Sequence, residues 1–239
     1  MKTNPTIFSK LARRTTLAAA VFGIAVAFTA CKNEVIEPEA IGMLAVTNAS
    51  PSSVDFLIDS KQVNNGALTF GSKTIYFRTY PGSRTGEVRF TGTTADAYSK
   101  KFEITEGYYH SLYIISQKNA TTQKDTLSYV FLRDEFTQTE TGKAKVRFMN
   151  LSSDSPALDL VFETDTTTFN NIAFKGRTAF KSVPAKKYTL TLKNRITGTP
   201  VATLADVQID QNRFYTVWAK GLSTTTVDAQ KLAIKVDMH

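Results

Sequence analysis

The feature that most limits what this chain can fold into is an ordered series of internal matches. Leu44-Ala-Val-Thr-Asn-Ala-Ser50 returns as Val146-Arg-Phe-Met-Asn-Leu-Ser152, with Asn48 over Asn150 and Ser50 over Ser152. Val54-Asp-Phe-Leu-Ile58 returns as Leu158-Asp-Leu-Val-Phe162, and Phe70 falls on Phe174. Pro81 falls on Pro184, Phe102-Glu-Ile104 on Val207-Gln-Ile209, Tyr109 to Tyr113 on Phe214 to Trp218, and Val130 to Asp134 on Ala233 to Asp237. Across these segments the offset stays between 102 and 105 residues, the drift that short loop insertions produce. A repeat of this length is domain-sized.

Within each copy the pattern is that of strands. Tyr188-Thr-Leu-Thr-Leu-Lys193 alternates apolar and polar residues, as do Val88-Arg-Phe90 and Phe102-Glu-Ile104, which is the period of a half-buried strand. Turn residues punctuate the copies at the spacing of a sandwich or barrel. The expected fold is therefore all-β, with two tandem immunoglobulin-like β-sandwich domains. The Cys-Trp-Cys signature of antibody domains is absent, so the likeness is one of architecture. Residues 42–134 form the first repeat, 135–143 a polar linker and 144–239 the second repeat.

What precedes the repeats reads as an export signal. Lys2, Lys10, Arg13 and Arg14 form a basic segment, and an apolar run from Leu17 to Ala30 ends at Cys31, the only cysteine. The run is shorter than the roughly 20 residues of a transmembrane helix, and its three-part organisation is that of a signal peptide. Phe28-Thr-Ala-Cys31 resembles the bacterial lipobox. That implies a lipoprotein signal peptide over residues 1–30, lipidation of Cys31 with palmitate among its acyl chains, and membrane attachment. Residues 31–41, with Pro38 and three Glu, read as the lipidated N-terminus and tether. Lys32-Asn-Glu34 resembles the charged tags of surface-exported lipoproteins. An outer-membrane position facing the cell surface is expected, with the periplasmic face left open.

Charge and cysteine content then exclude function classes. The sequence carries a net +8, but residues 1–30 hold four basic and no acidic residues, leaving 25 against 21 in the remainder. That balance does not favour a nucleic-acid partner. With Cys31 lipidated, no thiol is left for a disulfide, a thiolate metal site or a cysteine nucleophile.

The second repeat resembles a known family. Val146-Arg-Phe-Met-Asn-Leu-Ser-Ser-Asp-Ser-Pro-Ala-Leu-Asp159, followed by Ile172-Ala-Phe174 and Pro184-Ala-Lys-Lys-Tyr188, is similar to exported bacterial domains known as domain of unknown function four-three-nine-seven. The likeness is to its two-copy lipoprotein members from Bacteroidetes. It implies a β-sandwich fold and an exported location, without an activity. The first repeat departs from the pattern at Ala45 and in Pro51-Ser-Ser-Val-Asp55.

Few residues offer chemistry. Asn150, Ser152, Asp154 and Asp159 could ligate calcium through oxygen. The first repeat keeps Asn48, Ser50 and Asp55 but not an Asp154 equivalent, which suits a turn whose side chains bond nearby backbone, with Pro156 opening the next strand at an edge. His110 could serve a Ser-His-Asp triad, yet its counterpart is Tyr215, and a partly exposed strand histidine is expected; His239 ends the sequence. Two histidines without usable cysteine do not make a zinc site, and no motif implies a cofactor. Tyr108, Tyr109, Tyr113, Phe214, Tyr215 and Trp218 could stack on sugars or peptide, or fill the core.

Two functional classes follow. The first is a non-catalytic binding, adhesion or structural module of the cell envelope, taking a glycan or an envelope protein. The second is a glycan-acting hydrolase using paired carboxylates, for which Asp154 and Asp159 are the nearest pair.

Overall fold

The computed structural model describes residues 40–119, 121–122 and 124–239. The expected signal segment, Cys31 and all but the end of the tether lie outside the described residues. The rest is all-β: no α-helix occurs among the described residues, and one 3-10 turn spans Asp228–Gln230.

The first half contains β1 (Gly42–Asn48), β2 (Val54–Ile58), β3 (Lys61–Gln62), β4 (Phe77–Thr79), β5 (Gly82–Phe90), β6 (Tyr98–Ile104), β7 (Tyr109–Lys118) and β8 (Asp125–Asp134). They form two four-stranded sheets, β4-β1-β7-β8 and β3-β2-β5-β6. The second half contains β9 (Lys143–Asn150), β10 (Leu158–Phe162), β11 (Thr168–Ile172), β12 (Lys181–Pro184), β13 (Lys187–Asn194), β14 (Pro200–Gln208), β15 (Phe214–Lys220) and β16 (Ala233–Met238). Its sheets run β12-β9-β15-β16 and β11-β10-β13-β14, the same order displaced by eight strands. In each half the central pair is parallel: Thr47 lies opposite Tyr113 and Met149 opposite Trp218. The immunoglobulin sandwich has two antiparallel sheets, so this pairing sets the topology apart. Parallel strands need a long crossover, and here the crossover carries the whole second sheet of each half together with the edge strand β4 or β12.

Each half has its own core between its two sheets. Val46, Phe56, Val88, Leu112 and Ile114 meet in the first; Phe148, Leu160, Phe162, Leu190 and Val217 meet in the second. Period-two strands place alternate residues on opposite faces, so the neighbours of these core residues should face water. At the centre they do not. Tyr113 and Ile115 of β7 and Trp218 of β15 are wholly buried on the opposite faces, in a third apolar cluster with Ala49, Leu132, Met149 and Leu151. The sheets β4-β1-β7-β8 and β12-β9-β15-β16 thus pack through their outer faces, giving a stack of four layers. Strands covered on both sides read as continuous apolar runs; Leu112-Tyr-Ile-Ile115 and Val217-Trp-Ala219 are such runs.

The match between halves extends to individual bonds. The Val46 amide donates to Thr74 Oγ1 at 2.9 Å, as that of Phe148 does to Thr178 Oγ1 at 3.0 Å. Asn48 Oδ1 accepts from the Ser50 amide at 2.8 Å, as Asn150 Oδ1 accepts from Ser152 at 3.1 Å. Residues that correspond also meet: the rings of Tyr113 and Trp218 contact each other edge-on at 6.0 Å.

Candidate functional site

The polar chemistry of this molecule concentrates where the two halves join. β8 ends at Asp134 and the second residue of a Val-Arg pair in β9 is Arg147, and the register of the two inner sheets brings them together. Arg147 Nη2 lies 2.7 Å from Asp134 Oδ1, with side-chain exposures of 5% and 0%. A buried pair of this kind persists only if its remaining valences are met. Arg147 Nε donates to Thr216 Oγ1 at 2.8 Å. Asp134 Oδ2 accepts from Ser111 Oγ at 2.7 Å and from the Tyr76 hydroxyl at 3.2 Å.

His239 closes the circuit. Its Nδ1 is 2.7 Å from the Tyr76 hydroxyl and its Nε2 is 2.6 Å from Thr216 Oγ1. Because Tyr76 gives its proton to Asp134, its oxygen must accept from Nδ1–H. Because Thr216 accepts from Arg147, its own proton is free for Nε2. This assignment satisfies both nitrogens of His239, and it requires a neutral imidazole. Burial pushes the His239 pKa down to about 2, and the positive charges of Lys73 and Arg147 act in the same direction. Close by, burial lowers the Lys73 ammonium against the pull of Asp237 and Asp134. Burial likewise raises the Asp237 carboxyl, which accepts from Trp218 Nε1 at 2.9 Å.

Aromatic rings seal this network. Phe136, in the segment expected to be a polar linker, packs against Phe214 at 4.8 Å, Tyr109 at 5.4 Å and the His239 ring at 5.4 Å. Phe180 lies under the Arg147 guanidinium at 4.8 Å. The segment therefore belongs to the junction rather than spanning it.

Beside the network a cleft of about 620 Å³ opens between the halves. Its walls are Leu132, Arg133, Glu135 and Thr137 on one side and the run from Lys175 to Phe180 on the other, with Lys145 and Arg147 between. Five cationic side chains and a single carboxylate make it basic. Glu135 is tied to Arg133 at 3.0 Å and Lys145 to Thr137 at 2.9 Å. An adjoining groove of about 410 Å³ shares Arg133, Glu135 and Thr137 and adds Tyr108 and Tyr109.

The residues singled out in the sequence are distributed differently. Asn150 ties the β9–β10 turn together: its Nδ2 donates to Ser155 Oγ at 3.1 Å and to the Ile172 carbonyl at 3.0 Å. Asp154 accepts from the Ser223 amide at 2.7 Å, the Thr224 amide at 2.9 Å and the Thr224 hydroxyl at 2.6 Å. Burial alone would raise this carboxyl, and those bonds outweigh it, holding the pKa below the usual range. Asp159 instead faces the Asn171 amide at 2.6 Å and Arg195 at 3.2 Å. The two carboxylates thus serve different contacts and share none. No group of three or more His, Cys, Asp or Glu side chains among the described residues is placed to hold a metal.

Two expectations are corrected. His110 is not partly exposed but wholly buried. The parallel β1 covers it, and its ring stacks on Phe131 at 5.3 Å. Its Nε2 accepts from the Thr105 amide and its Nδ1 meets the Met43 carbonyl, both at 3.2 Å; burial lowers its pKa. Pro156 does not open an edge strand, since β10 begins at Leu158 and lies between β11 and β13. The aromatic set divides: Tyr113, Tyr215 and Trp218 are buried, whereas Tyr108 and Tyr109 are 43% and 41% exposed.

Fold and site define an all-β protein of two like-ordered halves that meet through a buried polar centre beside a basic cleft. The chain belongs to the family described as domain of unknown function (DUF4397), whose model matches residues 42–161. The match takes in the first half, the connecting segment and the second half as far as β10. No curated protein matches the chain.

Proposed function

We propose that this protein is an exported lipoprotein, lipidated at Cys31, that serves as a non-catalytic binding module of the cell envelope. In this reading residues 42–134 and 144–239 are tandem copies of one β-sandwich domain, immunoglobulin-like in its layering. The identical strand order and the paired hydrogen bonds support it. The observation that carries the functional part is the junction cleft. Both halves and the connecting segment build it, and the cluster behind it, with Tyr113 and Trp218 wholly buried, makes it a preformed site. A glycosidase needs two carboxylates flanking a cleft, and the lining here offers Glu135 alone, already paired with Arg133. With Arg147 held by Asp134 and Arg133 by Glu135, Lys145, Lys175 and Arg177 are the three lining cations without a carboxylate partner among the described residues, and they suit capture of an anionic ligand through charge.

The test has two arms. Labelled palmitate should enter the wild type and not Cys31→Ala, and membrane retention of the variant equal to the wild type would refute the anchor. The full chain in detergent should bind envelope extract saturably without turning over polysaccharide, peptide or ester substrates. Turnover abolished by Asp154→Asn or Asp159→Asn would refute the non-catalytic reading. Protease shaving of whole cells distinguishes a surface-facing from a periplasm-facing position.

A further inference from the structure

We infer that the junction cleft takes an acidic peptide segment in extended conformation, laid alongside residues 176–180 as an added strand. The inference rests on the binding-module reading above and names its ligand class.

The first observation is which residues line the cleft. All six consecutive residues from Lys175 to Phe180 do so. Lys175 sits in a turn at φ 66°; beyond it the side chains alternate between half-buried and exposed, the two faces of an extended segment. Five in a row from Gly176 along one cavity therefore place the backbone edge itself toward it.

The second is that this edge is open. The Asn150 amide donates to the Gly176 carbonyl at 3.1 Å and the Thr178 amide to the Phe148 carbonyl at 3.0 Å. These bonds flank the antiparallel bridge of Met149 with Arg177. In that geometry the N–H and C=O of Arg177 point away from β9, and neither has a partner among the described residues. Unpaired edge groups are the template for strand addition.

The third is charge. Lys175 is exposed in the turn that leads into the segment, and Arg177 is exposed on the segment itself. Neither cation has a carboxylate partner among the described residues; the Lys175 ammonium meets only the Phe174 ring, at 5.2 Å. On the other face Phe180 and Leu132 offer apolar contact, so alternation of acidic with apolar residues fits both.

The corresponding edge of the first half makes the contrast. There Lys73 bridges Thr47 as Arg177 bridges Met149, but its ammonium donates to the Met238 carbonyl at 3.3 Å. The Lys73 side chain is thus engaged by the chain's own second half, whereas that of Arg177 makes no such contact among the described residues.

The probe is a fluorescein-labelled Glu-Val repeat of about ten residues, long enough to run the length of an edge strand, titrated against the full chain in detergent. Binding should be saturable, weaken with added salt, and fall by about tenfold or more in Lys175→Glu/Arg177→Glu. Both side chains are exposed, so the variant should fold, and unchanged Trp218 fluorescence verifies the junction. A Lys-Val repeat and a Glu-Val repeat N-methylated at alternate residues should bind at least about tenfold more weakly. No binding, or equal binding by the double variant, would overturn the inference. So would polygalacturonate binding as tightly as the peptide while N-methylation has no effect, which would assign the cleft to carboxylated glycans. Envelope extract held equally by wild type and double variant would remove the cleft from the interaction and leave the binding module standing; turnover would remove the module reading itself.

Discussion

Asp134→Ala removes the acceptor on which the junction network converges, and its cost can be worked from the geometry. The carboxylate is wholly buried, and the Arg147 guanidinium 2.7 Å away is 5% exposed. Without Asp134 the guanidinium keeps only Thr216, and the Ser111 and Tyr76 hydroxyls lose their shared acceptor. Breaking a buried pair on one side costs about 3–5 kcal/mol, because the surviving charge is left uncompensated. For a chain of this size that is a fall in Tm of about 6–20 °C, at roughly 2–4 °C per kcal/mol. Replacing both partners, as Asp134→Leu/Arg147→Met, should return stability to within about 1 kcal/mol of wild type. The molecule already contains a precedent: Ala45 holds the position corresponding to Arg147 and is buried at 1% exposure. Trp218, the single tryptophan, sits in the same junction, so its fluorescence during urea titration reads the junction directly while far-UV circular dichroism reads both halves. A cost for Asp134→Ala below about 1 kcal/mol, or a double variant no better than the single one, would refute the assignment of Asp134 as partner of a buried charge.

Stability should fall with acid. His239 and His110 both have folded pKa values below the imidazole range, so the unfolded chain binds their protons first. The loss begins as pH drops below about 6.5, and His239 contributes about 1.4 kcal/mol per pH unit down toward its folded pKa; a urea midpoint that does not change between neutral pH and mild acid would refute this. His239→Phe, which copies Phe136, should reduce that slope even though it lowers stability at neutral pH. Tyr113→Phe should raise the unfolding free energy from urea titration by up to about 1 kcal/mol, since the Tyr113 hydroxyl is buried and makes no hydrogen bond of good geometry among the described residues; a loss of stability would contradict it. Gly86→Ala should destabilise by about 1–3 kcal/mol, because an added Cβ would lie 2.8 Å from the Phe102 ring and 3.1 Å from that of Phe56; a Tm within a degree or so of wild type would contradict it.

Much of the fold was legible because strand periodicity is local and a repeat doubles every signal. Val88-Arg-Phe90 and Tyr188 to Lys193 are readable as strands from alternation alone, and the Asn48/Asn150 turns from residue type. The parallel pairing of β1 with β7 was not, because it joins residues more than sixty apart and leaves no local trace. What marks it, the unbroken apolar run Leu112-Tyr-Ile-Ile115, also fits a strand in an ordinary core. The site was largely hidden for the same reason. Asp134, Arg147, Thr216 and His239 come from three strands and the chain's last residue. His239 drew no attention as a terminal residue, and Phe136 lay in a segment polar enough to pass for a linker. Two signals pointed there: a lone phenylalanine among Thr, Gln and Glu, and an arginine at a position where the other repeat has alanine.

The contact between Tyr113 and Trp218 has a consequence for how such a chain could have arisen. Corresponding residues that meet one another are the mark of an isologous interface, the kind that two identical subunits form about a twofold axis. In a homodimer every substitution appears twice, so a charge introduced on one side meets its own copy on the other. Joining the subunits through a short segment lifts that restriction and supplies a high effective concentration in place of intrinsic affinity. Arginine could then enter at position 147 while position 45 remained alanine. The Lys73 ammonium could then reach the Met238 carbonyl while Arg177 was left facing the cleft. Covalent linkage would thus have turned a symmetric assembly into a molecule with a single, oriented cleft.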